Sequence, residues 1–217
     1  TLFDSCLVVP PDVCVHRTIY TANVTLPFLA GGYQLAYQRC CRNNIILNIV
    51  DPEATGATYY NFISEESLQQ CNSSAVFNEW PPNYICANEP ILFDHSATDL
   101  DGDSLVYSLC TPFSGADPDI PQPQPPNPPP YDNVVWLDPP YSLNDVMGGI
   151  PLSIDSETGL LTGTPNTLGN FVVGVCVEEY RDGVLISTSR RDFQYNTGVC
   201  GEVISSFFAP EVDCDGF

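Results

Sequence analysis

The stretch Phe171–Tyr195 has the sequence FVVGVCVEEYRDGVLISTSRRDFQY, in which two runs rich in Val, Ile and aromatic residues flank Arg181-Asp182-Gly183. An Asp-Gly pair between two such runs is a strong local signal for a β-hairpin, because glycine readily adopts the positive φ of a tight turn. We therefore predict two antiparallel strands, Phe171–Tyr180 and Val184–Tyr195, as the best-defined element of the chain.

The rest of the sequence has the same β character. Its 217 residues include 21 Pro and 15 Gly, which separate short runs of Val, Ile, Tyr, Phe and Thr. This spacing is typical of an all-β sandwich. One helical turn is expected at Ser64–Gln70, with Ser64 as its N-cap. The other predicted strands are His16–Thr25, Tyr33–Cys40, Ile45–Val50, Thr58–Ile63, Ile91–His95, Ser104–Cys110, Val134–Leu137 and Leu152–Ile154.

A domain boundary is expected at Trp80-Pro81-Pro82-Asn83, because consecutive prolines form a stiff, extended joint. The predicted organisation is two β-sandwiches in tandem: a whole or truncated N-terminal sandwich at residues 1–80, a proline-rich joint at 81–83 and a second sandwich at 84–198. Within the second, Pro118–Pro130 (PDIPQPQPPNPPP) is expected to be an exposed polyproline loop. Residues 199–217 are predicted to form a C-terminal strand and tail.

The chain is strongly acidic, with 27 Asp and Glu, six basic residues and a formal charge of −21. Nucleic acid is therefore excluded as a partner, because its phosphates need cationic side chains. An anionic membrane surface would be repelled, and no apolar run of about 18 residues is present for membrane insertion. We expect the chain to be a mature or excised part of a longer secreted protein, for which cations are natural small partners.

Ten cysteines are scattered along the chain without a CxxC pair, which favours disulfides in an oxidising compartment over a zinc site. Because neighbouring residues of a strand face opposite sides, the adjacent Cys40 and Cys41 are expected to have different partners, with Cys71 as a mate for one. Cys86–Cys110 and Cys176–Cys200 are further pairs proposed from proximity, although other connectivities stay open. The candidates are Cys6, Cys14, Cys40, Cys41, Cys71, Cys86, Cys110, Cys176, Cys200 and Cys214.

Three carboxylates alternate in Asp99-Leu100-Asp101-Gly102-Asp103, immediately before a predicted strand. In an extended segment they lie on one side, where their repulsion favours a bound cation. Ca²⁺ suits such oxygen-rich clusters. An EF-hand is excluded, because Ser104 and Cys110 stand where that loop needs Gly and Glu. The alternative is a solvated Asp/Gly turn whose aspartates accept backbone N–H bonds.

Several motifs between Glu89 and Asp192 resemble, in order and spacing, the cadherin-like or immunoglobulin-type domains of bacterial surface proteins. The resemblance implies calcium ligands at Glu89, Asp99 and Asp101, to which Asp103 is added for its spacing. In cadherins the ion lies between domains, and Pro81-Pro82 places a junction nearby. The motifs are Asn88-Glu89-Pro90, Ala97–Asp103, Leu105–Leu109, Leu152–Pro165 and Gly169–Val173.

The wider segment Tyr37–Cys200 is similar to very long cell-surface proteins of gliding Bacteroidota, which are typically exported by the type nine secretion system. The motifs that carry this similarity are Arg39–Asn43 (RCCRN), Asn72–Phe77, Pro81–Cys86 and Arg191–Gln194. The family implies an extracellular location on the cell surface, and a role in adhesion or assembly.

Catalytic signatures such as Gly-x-Ser-x-Gly and His-Glu-x-x-His are missing, and only two histidines are present. We therefore expect a non-catalytic structural or adhesive module, stiffened by Ca²⁺, whose partners are other copies or neighbouring domains in a filament or tandem array. The alternative is a carbohydrate-binding accessory module of a secreted enzyme. Tyr131, Trp136 and Tyr141 would form its glycan platform, unless they pack in the core.

Overall fold

A computed structural model describes residues 18–200. It contains eleven strands, one short α-helix and a 3₁₀ turn at Pro52–Ala54. Within this part no helix is long and apolar enough to cross a membrane. The elements are β1 (Tyr33–Arg39), β2 (Ala57–Ile63), α1 (Glu65–Gln70), β3 (Val76–Phe77), β4 (Tyr84–Cys86), β5 (Ile91–Asp94), β6 (Ala97–Thr98), β7 (Ser104–Leu109), β8 (Ile150–Ile154), β9 (Leu160–Thr164), β10 (Gly169–Arg181) and β11 (Val184–Gly198).

The predicted hairpin is confirmed and is the longest element of the protein. Strands β10 and β11 pair antiparallel from Gly169 and Thr197 to the turn, where Asp182 and Gly183 have φ of 52° and 80°. Positive φ at both central residues is what a right-twisted two-residue hairpin needs, and Asp-Gly supplies it. The hairpin forms the centre of a four-stranded sheet with the order β4-β11-β10-β7.

A second sheet, with the order β5-β9-β8, packs its apolar side chains against those of the first. Residues of both sheets belong to one buried cluster, which confirms the all-β class. Phe171, Val173 and Tyr195 come from the hairpin. Ile91, Leu152 and Leu161 come from the smaller sheet.

The opposite face of β10 is also covered. Val172 packs against Ile46, Ile49 and Val134, and all four side chains are buried. A strand buried on both faces needs no alternation of apolar and polar residues, which explains the continuous apolar run FVVGVCV. The backbone at Cys110 comes so close to Gly174 that a Cβ atom at this position would collide with the Cys110 carbonyl oxygen.

The tandem arrangement of two sandwiches is not confirmed. In residues 18–80, β1 and β2 pair only with each other, and β2 lies against β11. Ile46 and Ile49 share a buried cluster with β10 across the predicted joint at 81–83. The described part of the N-terminal region therefore adds a layer to the central hairpin.

Ile45–Val50 and Val134–Leu137 are not regular strands, in contrast to the prediction. They touch through an isolated bridge between Ile49 and Trp136, with Val50 N–H donating to the Val135 carbonyl at 2.8 Å. The pairing is too short to build a ladder, because Leu47 N–H donates to Asn170 of β10 and Val134 N–H donates to the Pro112 carbonyl. The predicted helical turn is confirmed as α1, where Ser64 Oγ accepts from Ser67 N–H at 3.0 Å.

The predicted strand His16–Thr25 is not formed over the residues that the structure describes. Residues 18–25 belong to no strand and are exposed, while residues 16 and 17 lie outside the described range. Beyond Cys200 the predicted C-terminal strand and tail also lie outside it.

The proline loop lies along β1. Cys40 N–H donates to the Pro121 carbonyl at 2.9 Å, and the Gln38 side chain accepts from Asn127 N–H at 2.8 Å. Most of the prolines are exposed, as predicted, but Pro123 is buried. The loop therefore docks through its backbone, and most of its proline rings face outward.

The disulfide pairing differs from the prediction. The bonds are Cys86–Cys200 and Cys110–Cys176, with Cα–Cα distances of 5.3 and 5.9 Å. The reason is strand register, because β4 runs parallel to the end of β11 and β7 runs antiparallel to β10.

The adjacent cysteines also differ from the prediction. Cys40 and Cys41 bond to each other, and Cys71 is free and exposed. Strand β1 ends at Arg39, so the rule that neighbours face opposite sides does not apply to them. Cys6, Cys14 and Cys214 lie outside the described residues.

Candidate functional site

The predicted acidic run forms a compact cluster between β6 and β7. One carboxylate oxygen from each of Asp99, Asp101 and Asp103 lies within 4.8 Å of the others. Asp103 is almost buried, whereas Asp101 keeps 30% of its side chain exposed. The three side chains converge, but a turn brings them together, with bends at residues 100 and 101 and a φ of 81° at Gly102, and not the predicted alternation along an extended segment.

Asp99 shapes the loop itself. Its Oδ1 accepts the backbone N–H groups of Asp101 and Asp103, both at 2.9 Å. This is the Asp turn that the sequence offered as an alternative to calcium. The second oxygen, Oδ2, is buried and has no hydrogen-bond partner among residues 18–200, so it is available to a further donor or cation.

Arg181, at the end of β10, occupies one side of the cluster. Its Nε and Nη2 donate to the two oxygens of Asp103, each at 2.7 Å, and Nη2 lies 3.7 Å from Asp101. The hydrogen bonds that Arg181 donates to Asp103, together with the charges of the surrounding carboxylates, raise the pKa of Arg181. The guanidinium therefore neutralises part of the negative charge that a cation would otherwise have to neutralise.

The same cluster holds residues 72–75 against the hairpin through hydrogen bonds. Ser73 N–H donates to Asp101 Oδ2 at 2.6 Å, and Asn72 Oδ1 accepts from Arg181 at 2.7 Å. The fully buried Glu179 carboxylate accepts a hydrogen bond from Asn72 Nδ2 at 3.0 Å and another from the backbone N–H of Ala75. Sequence reasoning missed both Arg181 and Glu179, because no local pattern links them to a run about 80 positions earlier.

The fourth predicted ligand, Glu89, lies apart from the cluster. It is exposed in the turn between β4 and β5. Strand β4 pairs with Asn196–Gly198, at the opposite end of the hairpin from Arg181. The described residues bring together three of the four predicted ligands.

A second polar site, which the sequence did not reveal, lies inside the sandwich around Arg191. Its guanidinium donates to the Glu79 carbonyl at 2.8 Å and lies 3.1 Å from His95 Nδ1. The Phe77 ring stacks on it with its centroid 3.9 Å away. Burial lowers the pKa of His95 to about 3, helped by the charge of Arg191, so His95 is neutral and its Nδ1 accepts.

The three aromatics proposed as a glycan platform pack inward. Tyr141 is buried against Phe171 with centroids 5.7 Å apart, and Trp136 Nε1 donates to Thr111 at 3.3 Å. Tyr131 packs edge-on against Tyr60 and Phe113. The core-packing interpretation of these residues is therefore favoured, and they form no shared exposed face.

No family model, no curated protein and no solved structure matches this chain. The similarity to cadherin-like domains and to surface proteins of gliding Bacteroidota stays a prediction that rests on the sequence motifs.

Proposed function

We propose that this chain is a non-catalytic structural or adhesive module of an extracellular surface protein, with an immunoglobulin-like arrangement of its two central sheets. The observation that carries the proposal is the pair of disulfides that joins the hairpin to both of its neighbours. Cys110–Cys176 links β7 to β10, and Cys86–Cys200 links the end of β4 to the chain after β11.

Disulfide bonds between neighbouring strands suit a module that bears mechanical load outside the cell. They close loops of 66 and 114 residues, and each is expected to contribute about 4 kcal/mol by restricting the unfolded chain. Disulfides of this kind persist in oxidising compartments. The formal charge of −21 adds solubility to a surface that faces water.

The location can be tested on intact cells of the producing organism with an antibody raised against the chain. We expect labelling without permeabilisation, and removal of the signal by a protease that cannot enter the cell. Labelling that requires lysis would refute the extracellular assignment. A cytoplasmic protein marker serves as the control for cell integrity.

We further propose that the cluster of Asp99, Asp101 and Asp103 binds Ca²⁺ weakly. Three convergent carboxylates fit a hard cation, and the unpartnered Asp99 Oδ2 offers a ready ligand. Arg181 already pairs with Asp103, so an ion has to compete with the guanidinium. Because of this competition we expect a weak affinity, similar to the roughly 10⁻⁴ to 10⁻³ M of extracellular calcium modules.

Thermal unfolding with and without Ca²⁺ tests this proposal. Millimolar Ca²⁺ is expected to raise the melting temperature by several degrees in the wild type, under non-reducing conditions, and not in Asp101→Asn. Asp182→Asn, an exposed change in the neighbouring turn, is the matched control and should keep the response. An unchanged melting temperature in the wild type would eliminate the calcium proposal.

A carbohydrate-binding module is the second candidate, and one contact favours it. Tyr37 and Tyr59 stack with ring centroids 6.2 Å apart and are 51% and 46% exposed. Exposed aromatic faces bind the apolar faces of sugar rings. Glycan-array binding that is lost in Tyr37→Ala and kept in Trp136→Ala would support this function, whereas loss in neither variant would remove its structural basis.

A further inference from the structure

The disulfides among residues 18–200 differ in the length of chain that they enclose. Two of them join residues 66 and 114 positions apart, whereas Cys40 and Cys41 are neighbours. A disulfide stabilises a fold mainly by restricting the unfolded chain, and the restriction grows with the enclosed loop. A bond between neighbours encloses no loop, so it adds little to the stability of the sandwich and can open without unfolding it.

The same bonds differ in accessibility. Of the six bonded cysteines among residues 18–200, Cys41 alone is exposed, and its partner Cys40 is 8% exposed. The other four are buried or partly buried. In thiol–disulfide exchange an attacking thiolate has to reach a sulfur atom, so the rate depends on access. Cys41 is therefore the position at which an external thiol attacks most readily.

On one side of this bond, the end of β1 holds the proline loop. Cys40 N–H donates to the Pro121 carbonyl at 2.9 Å, and Asn127 N–H donates to the Gln38 side chain at 2.8 Å. One of the two residues that hold the loop is thus half of the disulfide.

On the other side, Arg42 is fixed to the hairpin. Its Nη1 and Nη2 donate to the two carboxylate oxygens of Asp192 at 2.9 and 2.6 Å, and both side chains are almost wholly buried. The guanidinium also donates to the Gly56 and Phe113 carbonyls, and the backbone N–H donates to the Thr55 carbonyl. These contacts keep Arg42 in place whether or not the neighbouring disulfide is closed, so the freedom gained on opening falls on residues 40 and 41.

We propose that the Cys40–Cys41 bond is a redox-sensitive switch that controls how firmly the proline loop is held against β1. A thiolate of an external dithiol attacks Cys41 Sγ, the S–S bond breaks, and Cys40 leaves as a thiolate. The second thiol of the reductant then displaces Cys41. The reductant becomes a disulfide, and the two protons of its thiols end on Cys40 and Cys41.

The closed bond ties two side chains together across one peptide unit and so restricts the backbone of both residues. When it opens, Cys40 N–H is no longer held toward Pro121, and the loop loses part of its attachment. The other two disulfides stay closed and preserve the sandwich. This inference goes beyond the proposed structural role, and the test of cell-surface location does not depend on it.

Stepwise addition of dithiothreitol to the oxidised chain, followed by alkylation and peptide mapping, tests the order of reduction. We expect Cys40 and Cys41 to be alkylated on the order of tenfold faster than the cysteines of the other two bonds. The melting temperature should change little at the dose that opens only this bond, because the two long loops stay closed. Simultaneous opening of all three bonds, or earlier opening of either other bond, would overturn the inference.

Amide hydrogen exchange followed by NMR tests the effect on the loop. After selective reduction, the N–H groups of Cys40 and Asn127 should exchange severalfold faster, because their hydrogen bonds join the loop to the end of β1. The N–H of Arg42, which donates to Thr55, is the internal control and should exchange at an unchanged rate. Equal rates at Cys40 and Asn127 before and after reduction would refute the switch.

Cys41→Ser gives the open state without a reductant. The substitution is at an exposed position and leaves Cys40 in place, so the chain should fold and should show the fast exchange of the reduced wild type. Cys71→Ser removes the free, exposed cysteine and is the matched control. It should keep the slow exchange of the oxidised wild type. Slow exchange in Cys41→Ser, or fast exchange in Cys71→Ser, would contradict control by the Cys40–Cys41 bond.

Discussion

Arg181 and Arg191 lie on the same hairpin and have opposite electrostatic surroundings. Arg181 stands at the turn and pairs with Asp103, with Asp101 at 3.7 Å. Arg191 lies inside the sandwich and forms no ion pair among residues 18–200. Its pKa is lowered to about 10 by burial, whereas the pKa of Arg181 is raised by Asp103. An excess of acidic residues therefore does not decide which arginine is neutralised.

Arg191 can lie in the interior without a carboxylate partner, because other groups accept its hydrogen bonds and stabilise its positive charge. The Glu79 carbonyl and neutral His95 accept from it, and Phe77 offers its ring face. A guanidinium suits such sites, because it is planar and more weakly hydrated than an ammonium. The difference between the two arginines is a difference between interior and surface on one strand pair.

The largest expected effect is that of Arg191→Ala. The change leaves the Glu79 carbonyl without its donor and removes packing from Phe77, so we expect the free energy of unfolding to fall by about 3 kcal/mol. Arg181→Ala should cost less, because water replaces the guanidinium at a solvent-accessible site. Urea unfolding measures both. Equal losses would show that the two sites do not differ as the structure indicates.

The next largest effect is a dependence of the free energy of unfolding on pH, which His95 introduces. Its pKa is about 3 in the folded protein against 6.5 for an ordinary histidine, so only the unfolded chain takes up this proton near pH 5. Stability is therefore complete above about pH 6.5 and falls as the pH drops toward 3, with about 2 kcal/mol lost by pH 5. Arg191 reinforces the shift and Asp94 opposes it.

His95→Phe is the matched variant for this effect. It removes the titrating group, and its unfolding free energy should change less between pH 7 and pH 5 than that of the wild type. The comparison stays above the range in which ordinary carboxyl groups titrate. Parallel profiles for the two proteins would show that His95 does not control this window.

The smallest effect is expected at the turn. Asp103→Asn removes the charge that pairs with Arg181, and the free energy of unfolding should fall only slightly at low salt and less at high salt. The loss in Arg191→Ala should not depend on salt, since its partners are a carbonyl and ring faces. Urea unfolding at two ionic strengths distinguishes them. A salt-independent loss in Asp103→Asn would contradict an ion pair that salt can screen.

Elements set by neighbouring residues were predictable. The hairpin followed from Asp182-Gly183, and α1 followed from the Ser64 cap. Asp99, Asp101 and Asp103 do converge, through a turn in which Asp99 accepts the backbone N–H groups of the other two. In each case the interacting groups are a few positions apart, so local backbone preference dominates.

Pairings between distant residues were not predictable. Proximity in sequence suggested Cys86–Cys110, while strand register brings Cys86 to Cys200. The partner of the acidic run is Arg181, 78 positions from Asp103. A strand-like composition at Ile45–Val50 gave only two isolated bridges, one to Asn170 of β10 and one to Trp136.

The sequence by itself determined an all-β chain built on one long hairpin, because period-two patterns and turn residues act over short distances. The tertiary structure decided which cysteines bond, which arginine is buried, and which strand-like segment stays uncovered. Those outcomes depend on the order and register of strands far apart in the chain, which no local pattern specifies.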